Sequence, residues 1–85
     1  MEKILHYNVI FRPEPEGGFT AIVPSLSGCV TYGKTLKKAK EMAADAIEGC
    51  LFSAKKHGEA VASDTDSFVA IVDVKNRFFK NPAYA

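Results

Sequence analysis

Eighty-five residues suffice for one domain and leave little for a second. An apolar fraction of 47 %, a charged fraction of 25 % and a net charge of +1 describe an ordinary globular chain, with no general electrostatic pull toward nucleic acid or anionic membrane. The two cysteines, Cys29 and Cys50, are too few for a disulfide framework and lack metal-ligand spacing.

The first dozen residues, MEKILHYNVIFR, mix charge with apolar side chains. That fits neither a secretory signal nor a membrane span, so a cytoplasmic setting with reduced thiols is expected. From Ile4 to Arg12, Leu5, Tyr7, Val9 and Phe11 alternate with His6, Asn8, Ile10 and Arg12, predicting a strand with one strongly apolar face and one mixed face. Pro13 lacks an amide donor and Gly17-Gly18 permit positive φ, so PEPEGG is predicted to be a hairpin connection. GFTAIV forms a second strand, with Phe19, Ala21 and Val23 on one face and Thr20 and Ile22 on the other. Pro24 disfavours further ladder pairing. SLSG then turns the chain into a brief third strand, CVTYG. Connections this short predict an antiparallel meander.

Helical periodicity begins after Gly33. Thr35 has a hydroxyl suited to an N-cap, and Leu36, Ala39, Ala43, Ala46, Ile47, Cys50 and Ala54 recur at three and four residues as one apolar stripe. Gly58 stands where a left-handed residue would end the helix, just after Lys55, Lys56 and His57. Gly49, inside the helix, costs about 1 kcal/mol relative to alanine. EAVASDTDS is a polar connection, and FVAIVDV is a near-continuous apolar run suited to a buried strand. The expectation is an α+β domain over residues 1–75: a β-β-β-α-β order, a four-stranded mixed sheet and a helix on one face. An aromatic tail, residues 76–85, carries Phe78, Phe79 and Tyr84.

Gly17-Gly18-Phe19-Thr20-Ala21, then Val23-Pro24-Ser25-Leu26-Ser27-Gly28-Cys29, then Thr31, Gly33, Thr35-Leu36, Ala39, Ala43 and Ala46-Ile47 together resemble the HicB antitoxin family. The resemblance spans roughly residues 5–60, in order and spacing, and is to the short form without a DNA-binding domain. It implies a partial ribonuclease-H-like fold of three antiparallel strands, a helix and a fourth strand. It also implies binding to a HicA-type RNA-cleaving toxin, whose RNA surface and catalytic histidine would be masked. Direct nucleic-acid binding by the chain itself is not implied. Relatives often carry an acid where Ser25 stands and acids at the helix start, where this chain has Lys34, Lys37, Lys38 and Lys40.

No catalytic constellation competes with this reading. Two-metal nuclease chemistry needs several converging carboxylates, whereas the first strand has none and only Glu48 and Asp73 are candidates. His6 and His57 pair with neither cysteine in any evident motif, and the cysteines suit small apolar roles. No catalytic residue, cofactor or metal site is therefore assigned. Partner contacts are expected on Glu14 and Glu16 of the hairpin and on Ser25, Leu26 and Ser27 of the corner, because loops on a rigid sheet carry recognition. Gly17, Gly18, Pro24, Gly28, Gly33 and Thr35 are assigned structural roles. Ile10, Ile22, Val30 and Tyr32 should form a second apolar sheet face, covered by Phe78, Phe79 and Tyr84, by a homodimer or larger homo-oligomer, or by both through exchanged tails. The alternatives are a homo-oligomeric scaffold or small-ligand binder without a toxin, and a residual metal-dependent nuclease.

Overall fold

Alternation and turn chemistry produce the expected meander. A computed structural model describes residues 4–80. Strands β1 (Ile10–Pro13), β2 (Phe19–Ile22) and β3 (Val30–Gly33) form one antiparallel sheet in the order β1-β2-β3. Ile10 faces Ile22, which faces Val30; Phe11 faces Ala21, which faces Thr31. Odd-numbered positions of the first two strands therefore share a face, and Gly33 joins it through Phe19.

That face is covered by α1 (Leu36–Lys56), which packs on β3 most closely and then on β2. The Thr35 side chain accepts the Lys38 amide at 3.0 Å, satisfying one of the donors left free in the first turn. At the other end Gly58 has φ +68°, its amide reaches the Lys55 carbonyl at 3.2 Å, and the Glu59 amide reaches that of Ala54 at 2.8 Å. This paired closure is a Schellman motif, possible because glycine enters the left-handed region without a Cβ clash. Small residues set the helix–sheet spacing: Ala21 and Ala39 are fully buried, and Ala43 and Ala54 nearly so. A Cβ on Gly33 would fall on the backbone of Ala39. Beside this seam Val23, Leu26 and Cys29 form a small core against Tyr7, Val9, Ala46, Ile47 and Cys50.

Two expectations about the sheet are corrected. The first strand joins the ladder only from Ile10, not from Ile4, because β2 pairing stops at Ile22, just ahead of Pro24. The apolar run 68–74 forms no ladder with the three strands; it is exposed, with Phe68 at 85 % and Ile71 at 93 %. A turn in which the Ser67 amide donates to the Asp64 carbonyl at 3.0 Å redirects the chain before that run begins. Among the described residues no helix is long and apolar enough to cross a membrane.

Candidate interaction surface

Three surfaces flank the sheet: the hairpin at one end of β2, the corner at the other, and the outer face. In the hairpin, the Glu14 amide bonds the Gly18 carbonyl at 3.0 Å, and Gly17 and Gly18 have φ of +103° and +80°. Tyr32 lies across them, its hydroxyl donating to the Gly17 carbonyl at 2.9 Å. Glu14 is not the free partner-facing acid expected from sequence. Its carboxylate accepts the Thr20 hydroxyl and pairs with the Arg12 guanidinium at 3.3 Å. The Thr20 hydroxyl first, and then Arg12, hold the Glu14 carboxyl below its ordinary value. Glu16 is exposed at the hairpin tip.

The corner from Val23 to Cys29 closes on itself. The Val23 amide bonds the Cys29 carbonyl at 3.0 Å, and Gly28 has φ +73°. Leu26 is corrected from partner contact to core residue: it points inward between Val23 and Cys29. Pro24, Ser25, Ser27 and Gly28 are left at the surface. Burial and then the neighbouring Cys50 thiol push the Cys29 thiol up to about 11, so it remains protonated and unreactive near neutrality.

Asp64 organises this region, and the sequence reading gave it no role. Although only 8 % exposed, it is satisfied on every side. Its carboxylate accepts the Ser25 hydroxyl at 2.6 Å and the Asn8 amide at 2.8 Å, while its own amide donates to the His6 carbonyl at 2.6 Å. The Ser25 hydroxyl, then the Asn8 amide, hold its carboxyl below the ordinary value against the opposing effect of burial. A carboxylate from a distant segment thus fixes the corner at Ser25. The only local signal was the turn-forming composition of Asp64-Thr65-Asp66-Ser67.

The outer face is open. Ile10, Val30 and Tyr32 are exposed, Ile22 is half-buried, and all four lie on the side away from α1. Of the tail residues expected to cover them, Phe78 and Phe79 are themselves exposed, and Tyr84 lies outside the described residues. On the helix side, a groove of about 360 Å³ runs between Tyr7, Val9 and Phe11 and the α1 residues Lys40, Ala43 and Ile47. The first turns of α1 carry Lys37, Lys38 and Lys40, all exposed and without an acid in the first turn, with Lys38 lying 3.8 Å from Glu41. Among the described residues no three His, Cys, Asp or Glu side chains come together as a metal-binding group.

No family model matches the chain. It is 34 % identical over 67 residues to a UPF0150 protein of Thermoplasma acidophilum, an alignment covering 79 % of this chain and 97 % of the relative. A UPF0150 protein of Synechocystis is 32 % identical over 59 residues, covering 69 % of this chain and 81 % of the relative. A second Synechocystis UPF0150 protein is 36 % identical over 47 residues, covering 55 % and 60 %.

Proposed function

The chain belongs to the UPF0150 family, and from that premise we propose that it acts as a HicB-like antitoxin, binding a HicA-type RNA-cleaving toxin and masking its RNA-binding and catalytic surface. The observation that carries the reading is the rigid corner. Val23, Leu26 and Cys29 anchor it from beneath, the Asp64 carboxylate fixes Ser25, and Ser27 and Gly28 face outward beside an open apolar sheet face. A pre-organised projection of this kind binds without losing much loop entropy. Glu16 at the hairpin tip, with Ser25 and Ser27, would meet the toxin's basic groups, while Glu14 holds the hairpin in shape through Thr20 and Arg12. The task is steric and electrostatic and asks for no catalytic residue in this chain.

Two further parts of the proposal concern architecture and setting. The partial ribonuclease-H-like fold would be completed by 68–74 as a fourth strand beside a β1 edge, supported by the strand-forming composition of that run. The protein works in the cytoplasm as a homodimer or larger homo-oligomer. A second reading, a homo-oligomeric scaffold without a toxin, is favoured by the exposed apolar run alone.

Co-expression of the tagged chain with the product of a neighbouring toxin-like gene tests the proposal. Co-purification and restored growth are expected, both diminished by Ser27→Arg at unchanged fold. Failure of the unmodified chain to bind or rescue against every adjacent product would overturn it and leave the scaffold reading.

A further inference from the structure

An apolar run that is exposed on both faces and a sheet edge with an empty groove occur in the same chain. In 68–74, six of seven residues are apolar, and Phe68, Ile71 and Val74 are each at least 85 % exposed. β-Branched and aromatic residues in such density suit a strand and are poorly accommodated as coil in water. The arm nevertheless stands off the domain. The radius of gyration is 16.1 Å, where a compact chain of this length would have about 12 Å.

The receiving side is the free edge leading into β1. The Glu14 amide bonds the Gly18 carbonyl across the hairpin and Pro13 has no amide, so the even-numbered main-chain groups of β1 bond β2. By the alternation of an antiparallel strand, the amides and carbonyls of Val9 and Phe11 face the outer edge, beside which no strand lies among the described residues. Such an edge is a template for one more strand. Next to it lies the groove between Tyr7, Val9 and Phe11 and the helix residues Lys40, Ala43 and Ile47.

We propose that 68–74 of one copy is the fourth strand of a second copy, lying along the outer edge of β1 with one face in this groove, and that the exchange is reciprocal. Three observations identify a second copy as the occupant. Donor arm and receiving edge are both unfilled on one chain, which is the condition for a closed two-fold exchange. Their charges also match: Asp73 is the sole charge in 68–74, and Lys40 is the sole charge lining the groove among the described residues. After the turn from Asp64 to Ser67, residues 68–74 are exposed and form no ladder with their own β1. The inference deepens the self-association part of the reading above and is independent of the toxin.

The test uses the full chain. Unlabelled and carbon-13-labelled copies are unfolded and refolded together, and the product is weighed by light scattering and examined by isotope-filtered NMR. A species of twice 9.2 kDa is expected, with intermolecular NOEs from the methyls of 68–74 to the rings of Tyr7 and Phe11. Ile71→Lys with Val72→Asp removes a usable arm, and Phe11→Pro removes a usable edge. Each should be monomeric alone, and the two mixed should recover a dimer with one exchanged arm. A monomeric unmodified chain would overturn exchange and self-association together. A dimer whose arm shows NOEs only within its own chain, or one that survives loss of the arm, would overturn exchange while leaving self-association standing. Should a variant fail to fold, the NOEs of the unmodified chain decide the matter.

Discussion

Replacing Gly33 by alanine probes the closest approach in the fold. Gly33 is buried at the end of β3, and an added Cβ would overlap the Ala39 amide nitrogen and Cα and the Lys38 carbonyl carbon. These are backbone atoms of α1, so no rotamer change relieves the overlap; the helix must lift from β3 or the strand must tilt. Overpacking of this kind costs about 1–3 kcal/mol, while the stiffer unfolded chain returns about 0.4–1 kcal/mol. The net loss is about 1–2 kcal/mol, a large share of the stability of a domain this size. At 4–8 °C per kcal/mol, Tm should fall by about 5–15 °C. Thermal unfolding followed by circular dichroism measures it, at matched concentrations because self-association makes Tm depend on concentration. Adding Ala39→Gly should not restore the loss, since the obstacle is main chain. An unchanged Tm, or full rescue by Ala39→Gly, would refute the close-approach argument.

Gly49 gives the opposite sign: nothing lies within 4 Å of a Cβ there, so Gly49→Ala should stabilise the helix by about 0.5–1 kcal/mol, and a lower Tm would contradict this. The Tyr7 hydroxyl is buried with no hydrogen-bond partner among the described residues; Tyr7→Phe should therefore leave chemical-denaturation stability equal or higher, and a clear loss would reveal a partner. Asp64, whose carboxyl is held below its ordinary value by Ser25 and Asn8, stabilises the fold above its unfolded value of about 4, and this contribution is lost as pH falls through the folded value. Asp64→Asn should thus be less stable at neutral pH and show a shallower acid limb in urea titrations, converging with the parent at the lowest pH; parallel curves would count against the carboxylate's role. With its thiol pushed from 9.0 to about 11, Cys29 should carry about a hundredfold less thiolate than an ordinary cysteine at pH 8 and resist iodoacetamide in the native state. Peptide mass mapping that found Cys29 alkylated as fast as a free thiol would refute this.

Features governed by a few adjacent residues were legible in the sequence. Hairpin glycines with positive φ, the break at Pro24, the Thr35 cap and the left-handed Gly58 each follow from local sterics and hydrogen bonding. Alternation likewise told which side chains of β1 and β2 share a face, because a strand's period is two. The errors were of another kind. Leu26 looked like a loop residue, yet it is buried because Val23 and Cys29 leave an apolar gap beneath the corner. Glu14 looked like a free acid, but the hairpin register brings Thr20 onto it.

From the sequence alone came the meander, the helix, its caps and the division into a helix-facing and an outer sheet face. Tertiary structure alone decided that Asp64 would reach back across 39 residues to fix Ser25, that Gly33 would touch the helix backbone, and that 68–74 would leave its own sheet. Turns and caps are decided by neighbours along the chain, whereas pairing and burial depend on which distant surfaces meet. The same apolar run satisfies its strand propensity equally well beside any suitable edge, and no local pattern specifies whose edge that is.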